Sequence, residues 1–419
     1  MDPLIDLALL LFGAKLGGIL FSKIKQPSIV GELIAGIILG PSLLALVKTS
    51  SLVTAVSDLG LLFLVLLVSL SIDWKVLEGR TEKYVWIEIT RSAFTFILVY
   101  VLASMFSWNM YTFLILGFVA ILSSTAIVSR TLADMKELTT TEGQMLMGLE
   151  VVDEVFAIIS VALLANLFAG ESITLEPIMT TIFVVVGLFV VMGRVGFKFV
   201  NRLTSSIQKY GIEEALLGFT LLLAFLLGSI TESLKLASIL GIFVAGMILS
   251  RSAQLPVITR KVKDIGESFF IPIFFASVGL TVNFLAAFEQ IYLIVGLSVA
   301  IIGIKLISCM VSLKFFSYGT EQSLKISSGF VTASEMTVVI VSLAVSKLDP
   351  VFYVSLIASF LVINALSPMI MNFMFRNSVG FSMFSSPFRT KKKWSMSFAK
   401  SNGNSYSFSR NIRKPMRGG

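Results

Sequence analysis

Apolar runs of about 20 residues recur from one end of the chain to the other, and they restrict its fold more than any other feature. A hydrocarbon core about 30 Å thick takes roughly 20 residues of helix to cross. Inside it, backbone N–H and C=O groups have no water to bond, so only helices and closed barrels span it. Repeated runs of helical length therefore predict an all-α polytopic membrane protein. Composition agrees, since only 14% of residues are charged, where a soluble domain carries about 25%.

Thirteen spans are expected, at about 4–21, 28–46, 54–72, 85–105, 111–129, 145–168, 178–197, 213–230, 236–250, 267–285, 290–313, 325–346 and 351–374. The first is flanked by Asp2 and Asp6 and lacks a small-residue cleavage site, so it reads as a retained helix and not a signal peptide. Basic residues alternate between loops. One side gathers Lys23, Lys25, Lys75, Arg80, Lys83, Arg130, Lys136, Arg194, Lys198, Arg202 and Lys209, then Arg251, Arg260, Lys261, Lys263, Lys314 and Lys325. The other holds Lys48, Lys235 and Lys347. The positive-inside bias then places the N-terminus outside and the C-terminus in the cytoplasm, in a cell membrane. The transmembrane domain covers 1–375, and 376–419 is expected to be a disordered, Ser-rich, basic cytoplasmic tail suited to anionic lipid headgroups. The net charge of +8 thus reports orientation and tail, with no nucleic-acid partner implied. Cys309 is the only cysteine and histidine is absent, so proton chemistry near neutral pH falls to carboxylates or lysines.

Asp153 and Glu154 stand side by side within the apolar stretch 145–168, with Glu150 one turn earlier. A charge at bilayer depth costs roughly 2.5–3.5 kcal/mol on insertion scales, so such residues by default mark an ion or proton path. A structural carboxylate salt-bridged to a neighbouring helix is the competing reading.

An internal repeat narrows the architecture. Ser28-Ile29-Val30-Gly31 through Ala35-Gly36-Ile37-Ile38-Leu39 recurs as Ser238-Ile239-Leu240-Gly241 through Ala245-Gly246-Met247-Ile248-Leu249, an offset of 210. The same offset lays Leu70-Ser71-Ile72-Asp73 on Leu280-Thr281-Val282-Asn283, and Ser124 on Ser334. Paired spans lie an odd number apart, so the two copies run in opposite directions, the plan of secondary transporters. The fifth span carries Ser123, Ser124 and Thr125, and the twelfth carries Thr332, Ser334 and Glu335. Such clusters suit helices that unwind at mid-membrane; interhelical hydroxyl bonding accounts for them as well.

At these residues the chain resembles the monovalent cation/proton antiporters, in the branch of Kef-type and sodium/proton exchangers. The resemblance rests on Gln26-Pro27-Ser28-Ile29-Val30-Gly31-Glu32-Leu33 through Leu39-Gly40-Pro41-Ser42, and on Phe270-Ile271-Pro272-Ile273-Phe274-Phe275-Ala276-Ser277-Val278-Gly279-Leu280. It implies two discontinuous crossing helices and an ion-carrying core at about 85–168 and 290–374. That core would move against a dimerisation part at about 1–72 and 178–285, in a homodimer. It also implies that Asp153 and Glu154 bind the monovalent cation or protons, Glu154 standing where aspartate is usual. Lys305 matches the membrane lysine that pairs with the first acid in electrogenic members, so an Asp153–Lys305 pair and electrogenic exchange are expected. Ser124, Thr125, Glu150 and Glu335 are expected to support the site.

The function expected is antiport of a monovalent cation, Na⁺ first and Li⁺ next, for H⁺ by alternating access, with no cofactor and no enzyme chemistry. A Kef-like K⁺/H⁺ antiporter or K⁺ efflux protein is the alternative. No glycine-rich phosphate loop follows the last span, which leaves any ligand gating to a separate regulatory subunit. A sodium-coupled organic anion symporter and a non-transporting membrane sensor fit the buried acids and Lys305 less well.

Overall fold

The computed structural model describes residues 3–24, 26–71, 81–169, 213–233, 238–283 and 288–382, with a few positions between 179 and 206. Most of the seventh expected span, Asp73, the tail beyond residue 382, and Lys25, Lys75, Arg80, Arg194, Lys198, Lys209 and Lys235 lie outside the described residues.

Among the described residues all regular structure is helical. In chain order it comprises α1 (Pro3–Lys23), α2 (Ser28–Leu39), α3 (Ser51–Leu70), α4 (Thr81–Met105), α5 (Met110–Ile121), α6 (Thr125–Met135) and α7 (Thr141–Ala169). It continues with α8 (Glu213–Ser233), α9 (Ser238–Leu249), α10 (Leu255–Ile265), a π-helical turn (Gly266–Phe270) and α11 (Ile271–Leu280). The last four are α12 (Ile291–Phe315), α13 (Thr320–Gly329), α14 (Glu335–Leu343) and α15 (Pro350–Ser382). The offset of 210 seen in the sequence also relates the helix boundaries. It carries α1 onto α8, α2 onto α9 and α4 onto α12 at both ends, and the last residue of α3 onto that of α11.

Four expected spans change shape. The span at 28–46 stops at Leu39, because Pro41 lacks an N–H and disfavours a helical Gly40, which is extended at ψ 175°. The span at 267–285 starts earlier: α10, the π turn and α11 form one continuous helix from Leu255. Its first turns carry Arg260, Lys261 and Lys263, so the helix outlasts the apolar run by which it was recognised. The spans at 111–129 and 325–346 are each two helices, broken at Leu122–Ser124 and at Phe330–Ser334.

The helices pack as two groups. One comprises α1–α3 and α8–α11, and the other α4–α7 and α12–α15. They meet chiefly where α7 touches α9 and α11 touches α14. Within the first group, close approach rests on glycine. Gly36 of α2 lies directly on the Ala276 carbonyl of α11, and its repeat mate Gly246 of α9 lies on Ser69 and the Leu66 carbonyl of α3. A Cβ at Gly36 would meet backbone that has nowhere to go, and one at Gly246 would run into the Ser69 side chain.

Gly36→Val is accordingly expected to lower the melting temperature of the detergent-purified protein by several degrees, with overpacking of about 1–3 kcal/mol or more. Gly303, whose Cβ position is open, is the control and should tolerate alanine with little change. An unaltered melting curve for Gly36→Val would refute the close packing of α2 on α11.

Candidate functional site

The two helix breaks face each other at the centre of the second group, and the problem they pose is backbone satisfaction. Each break ends one helix and starts another, leaving carbonyls and amides that water cannot reach. Seven of them find side-chain partners. The Leu122 and Thr332 carbonyls, which are repeat equivalents, both accept from Lys305 Nζ, at 2.5 and 3.0 Å. The Ile121 carbonyl accepts from Arg91 Nη1 at 2.8 Å. The Ser123 amide donates to Asp153 Oδ2 at 2.7 Å, and the Ser124 amide to Thr332 Oγ1 at 2.8 Å. In the second break Asn364 serves Ala333 twice, accepting from its amide at 2.9 Å and donating to its carbonyl at 3.1 Å. Ser124 and Ser334, again repeat equivalents, N-cap α6 and α14 with their hydroxyls.

Charge follows the helix ends. The cations Arg91 and Lys305 lie at carbonyls where α5 and α13 finish, the negative ends of those helices. The acids lie where helices begin: Asp153 bonds the Ser123 amide ahead of α6, and Glu335 opens α14 and accepts from Ser124 Oγ at 3.2 Å.

Adjacent residues on a helix point about 100° apart, and here that separates the two acids of α7. Asp153 is 1% exposed and turns inward to Arg91, whose Nη2 stands 2.5 Å from Oδ1; the Ser123 hydroxyl adds a bond of 2.7 Å. Arg91 also holds Glu88 through Nε at 2.9 Å and through Nη2, and stacks on the Phe330 ring at 4.3 Å. The expected Asp153–Lys305 pair is thus replaced by Asp153–Arg91. Lys305 is instead spent on two backbone carbonyls, and a side chain on α4 supplies the counter-ion.

Glu154 turns the other way, into a cavity of about 1230 Å³ between the two helix groups. Ser123, Thr125, Ser334 and Glu335 share its wall with Glu154. The lining runs up α6 from Thr125 to Met135, along α15 from Ala365 to Arg376 and along α1 from Lys15 to Lys23. At 1.5 Å per residue the path along α6 is about 15 Å deep. Thr125 donates to Glu150 at 3.3 Å and also bonds Glu154. Glu150 itself is fully buried behind Ser123, whose hydroxyl is 3.0 Å from both of its oxygens.

The residues singled out in the sequence therefore divide. Glu154, Glu335, Thr125 and Ser123 share a cavity wall, while Asp153, Glu150 and Lys305 form the support behind it. Glu88, Arg91 and Asn364 were not anticipated. A Glu and an Arg one turn apart inside the fourth apolar span were a readable sign of a buried pair, and Asn364 is the repeat position of Glu154.

The transmembrane family described as Sodium/hydrogen exchanger matches residues 8–376. The chain is 26% identical over 342 residues to the Na(+)/H(+)-K(+) antiporter GerN of Bacillus cereus, covering 82% of this chain and 88% of that one. It is 23% identical over 373 residues to an Na(+)/H(+) antiporter of Enterococcus hirae, covering 88% and 96%. In fold it is similar to the sodium proton antiporter MjNhaP1 from Methanocaldococcus jannaschii at pH 8, with TM-score 0.71, 14% identity, and coverage of 90% of this chain and 99% of that one.

A double-mutant cycle separates the two candidate partners of Asp153. Arg91→Gln and Asp153→Asn should be non-additive in thermal stability, with a coupling of about 2 kcal/mol. Lys305→Gln with Asp153→Asn should come close to additive, within about 0.5 kcal/mol. The reverse pattern would restore the lysine as counter-ion.

Proposed function

The chain belongs to the sodium/hydrogen exchanger family, and from that premise we propose that it exchanges Na⁺ for H⁺ across the cell membrane at the Glu154 carboxylate. The observation that carries this assignment is the division between the two acids of α7. Glu154 reaches the cavity, while Asp153 is engaged by one guanidinium and two donors of Ser123.

The chemistry is competition for the same oxygens. With Glu154 ionised, its carboxylate, Glu335 and the Thr125 hydroxyl offer hard oxygen ligands to a small cation. With Glu154 protonated, the electrostatic reason for a cation to stay is gone. Neither ion is held while the other is, so movement of the loaded site couples the two fluxes. K⁺ in place of Na⁺ is the second reading, favoured by glutamate at position 154. Its longer arm lets the carboxylate stand farther from a larger ion.

The packing suits alternating access. The α4–α7 and α12–α15 group carries the site and meets the other group at few places. The cavity runs toward the end that bears Lys23, Arg130 and Arg376, which the distribution of basic residues assigns to the cytoplasm. At the opposite end Tyr353 of α15 and Thr281 beyond α11 share a hydrogen bond of 2.7 Å between the groups. This arrangement corresponds to an inward-facing form closed on the outer side. Dimerisation through the α1–α3 and α8–α11 group would hold that part still while the other moves.

Glu154→Gln should abolish cation-driven proton flux in proteoliposomes offered Na⁺, Li⁺ or K⁺, with an unchanged melting temperature. In the wild type, lowering the pH on the side of cation entry should raise the apparent KM and leave the maximal rate unchanged. Full flux in a folded Glu154→Gln protein, or a maximal rate that falls with pH at constant KM, would overturn the assignment.

A further inference from the structure

Away from the cavity, among the described residues, two cations, Arg91 and Lys305, and three acids, Glu88, Glu150 and Asp153, are at most 1% exposed. Arg91 bonds both Glu88 and Asp153. A guanidinium does not give up its proton in a protein. Lys305 donates to the Leu122 carbonyl, where α5 ends, and to the Thr332 carbonyl inside the second break. The charges of Arg91 and Lys305 thus balance those of Glu88 and Asp153.

Glu150 is the acid left over, and its hydrogen bonds show how it is accommodated. Its partners are hydroxyls, Ser123 Oγ at 3.0 Å and Thr125 Oγ1 at 3.3 Å. Ser123 has a single hydroxyl hydrogen and stands closer to Asp153 Oδ2, at 2.7 Å. Among the described residues no cation forms an ion pair with Glu150, Arg91 being taken by Glu88 and Asp153. Cys309, also buried, is a free cysteine.

We propose that Arg91 makes the exchange electroneutral, one cation for one proton, by fixing Asp153 as a permanent carboxylate so that Glu154 alone changes its occupant. The inference rests on the exchange reading above and departs from the electrogenic expectation, which required a lysine able to release Asp153 and lose its own proton. The step balances simply. A cation replaces the hydrogen of the Glu154 carboxyl, the O–H bond breaks, and the proton leaves to cavity water. Glu335, at the start of α14, accepts from Ser124 and is no part of this step. Proton-loaded and cation-loaded sites then carry the same charge. Arg91 acts here as a positioning residue, through Asp153.

The test uses the full chain in proteoliposomes with opposed Na⁺ and pH gradients and a potential imposed by a thiocyanate gradient, which avoids K⁺. Luminal pH reports the ion ratio at which net flux stops. For the wild type this null point should stay where the Na⁺ ratio equals the H⁺ ratio, at a potential that would move a two-for-one exchanger's null point tenfold. Arg91→Lys puts an ammonium, which can lose its proton, in place of the guanidinium, and its null point should shift several-fold with the same potential. A wild-type null point that moves with potential overturns the inference while leaving Na⁺/H⁺ exchange standing. A potential-independent Arg91→Lys protein would remove Arg91 as the cause. Absence of flux with Na⁺, Li⁺ and K⁺ alike would remove the exchange reading and this inference together. Should Arg91→Lys fail to fold, the wild-type null point still decides the stoichiometry.

Discussion

Everything in the central region depends on how two interrupted helices pair their free backbone groups without water. An unpaired carbonyl or amide in hydrocarbon costs several kcal/mol, and the breaks at Leu122–Ser124 and Phe330–Ser334 create a cluster of them. One ammonium, Lys305, spans the two repeats by bonding the Leu122 and Thr332 carbonyls. Arg91, Asp153, Thr332 and Asn364 each take up others. Polar side chains that look extravagant in an apolar bundle are the condition for having breaks at all. The breaks in turn supply the oppositely charged helix ends against which a carboxylate and a cation can be set.

From that arrangement the division of labour on α7 follows. A residue drawn toward the break to satisfy Ser123 cannot also face the cavity, and Asp153 takes the first position. Glu154, one residue on and about 100° round the helix, takes the second. The same turn places Glu150 behind the wall, where hydroxyls are its partners.

Much of this was legible beforehand because the repeat leaves a numerical trace. Small residues at Gly31, Gly36, Gly241 and Gly246 record close helix contacts, and the hydroxyls at Ser124 and Ser334 record equivalent N-caps. The acids were visible because burying charge is costly enough to be rare. What escaped was pairing. Lys305 and Arg91 are both cations inside apolar spans, and sequence alone does not say which reaches Asp153 and which reaches the backbone. The choice is made by where the α5 and α13 carbonyls end, a three-dimensional fact. Helix ends also moved where structure outran hydropathy, as at α10, whose basic turns continue a helix beyond its apolar run.

The central claim is that cation and proton occupy one carboxylate in turn. Calorimetric titration of the detergent-purified protein with Na⁺, in buffers of differing ionisation enthalpy, counts the protons released per cation bound. At acidic pH, where the cation-free site is protonated, about one proton should leave for each cation that enters. Cation binding without proton release would contradict the account, because the two ions would then hold separate sites.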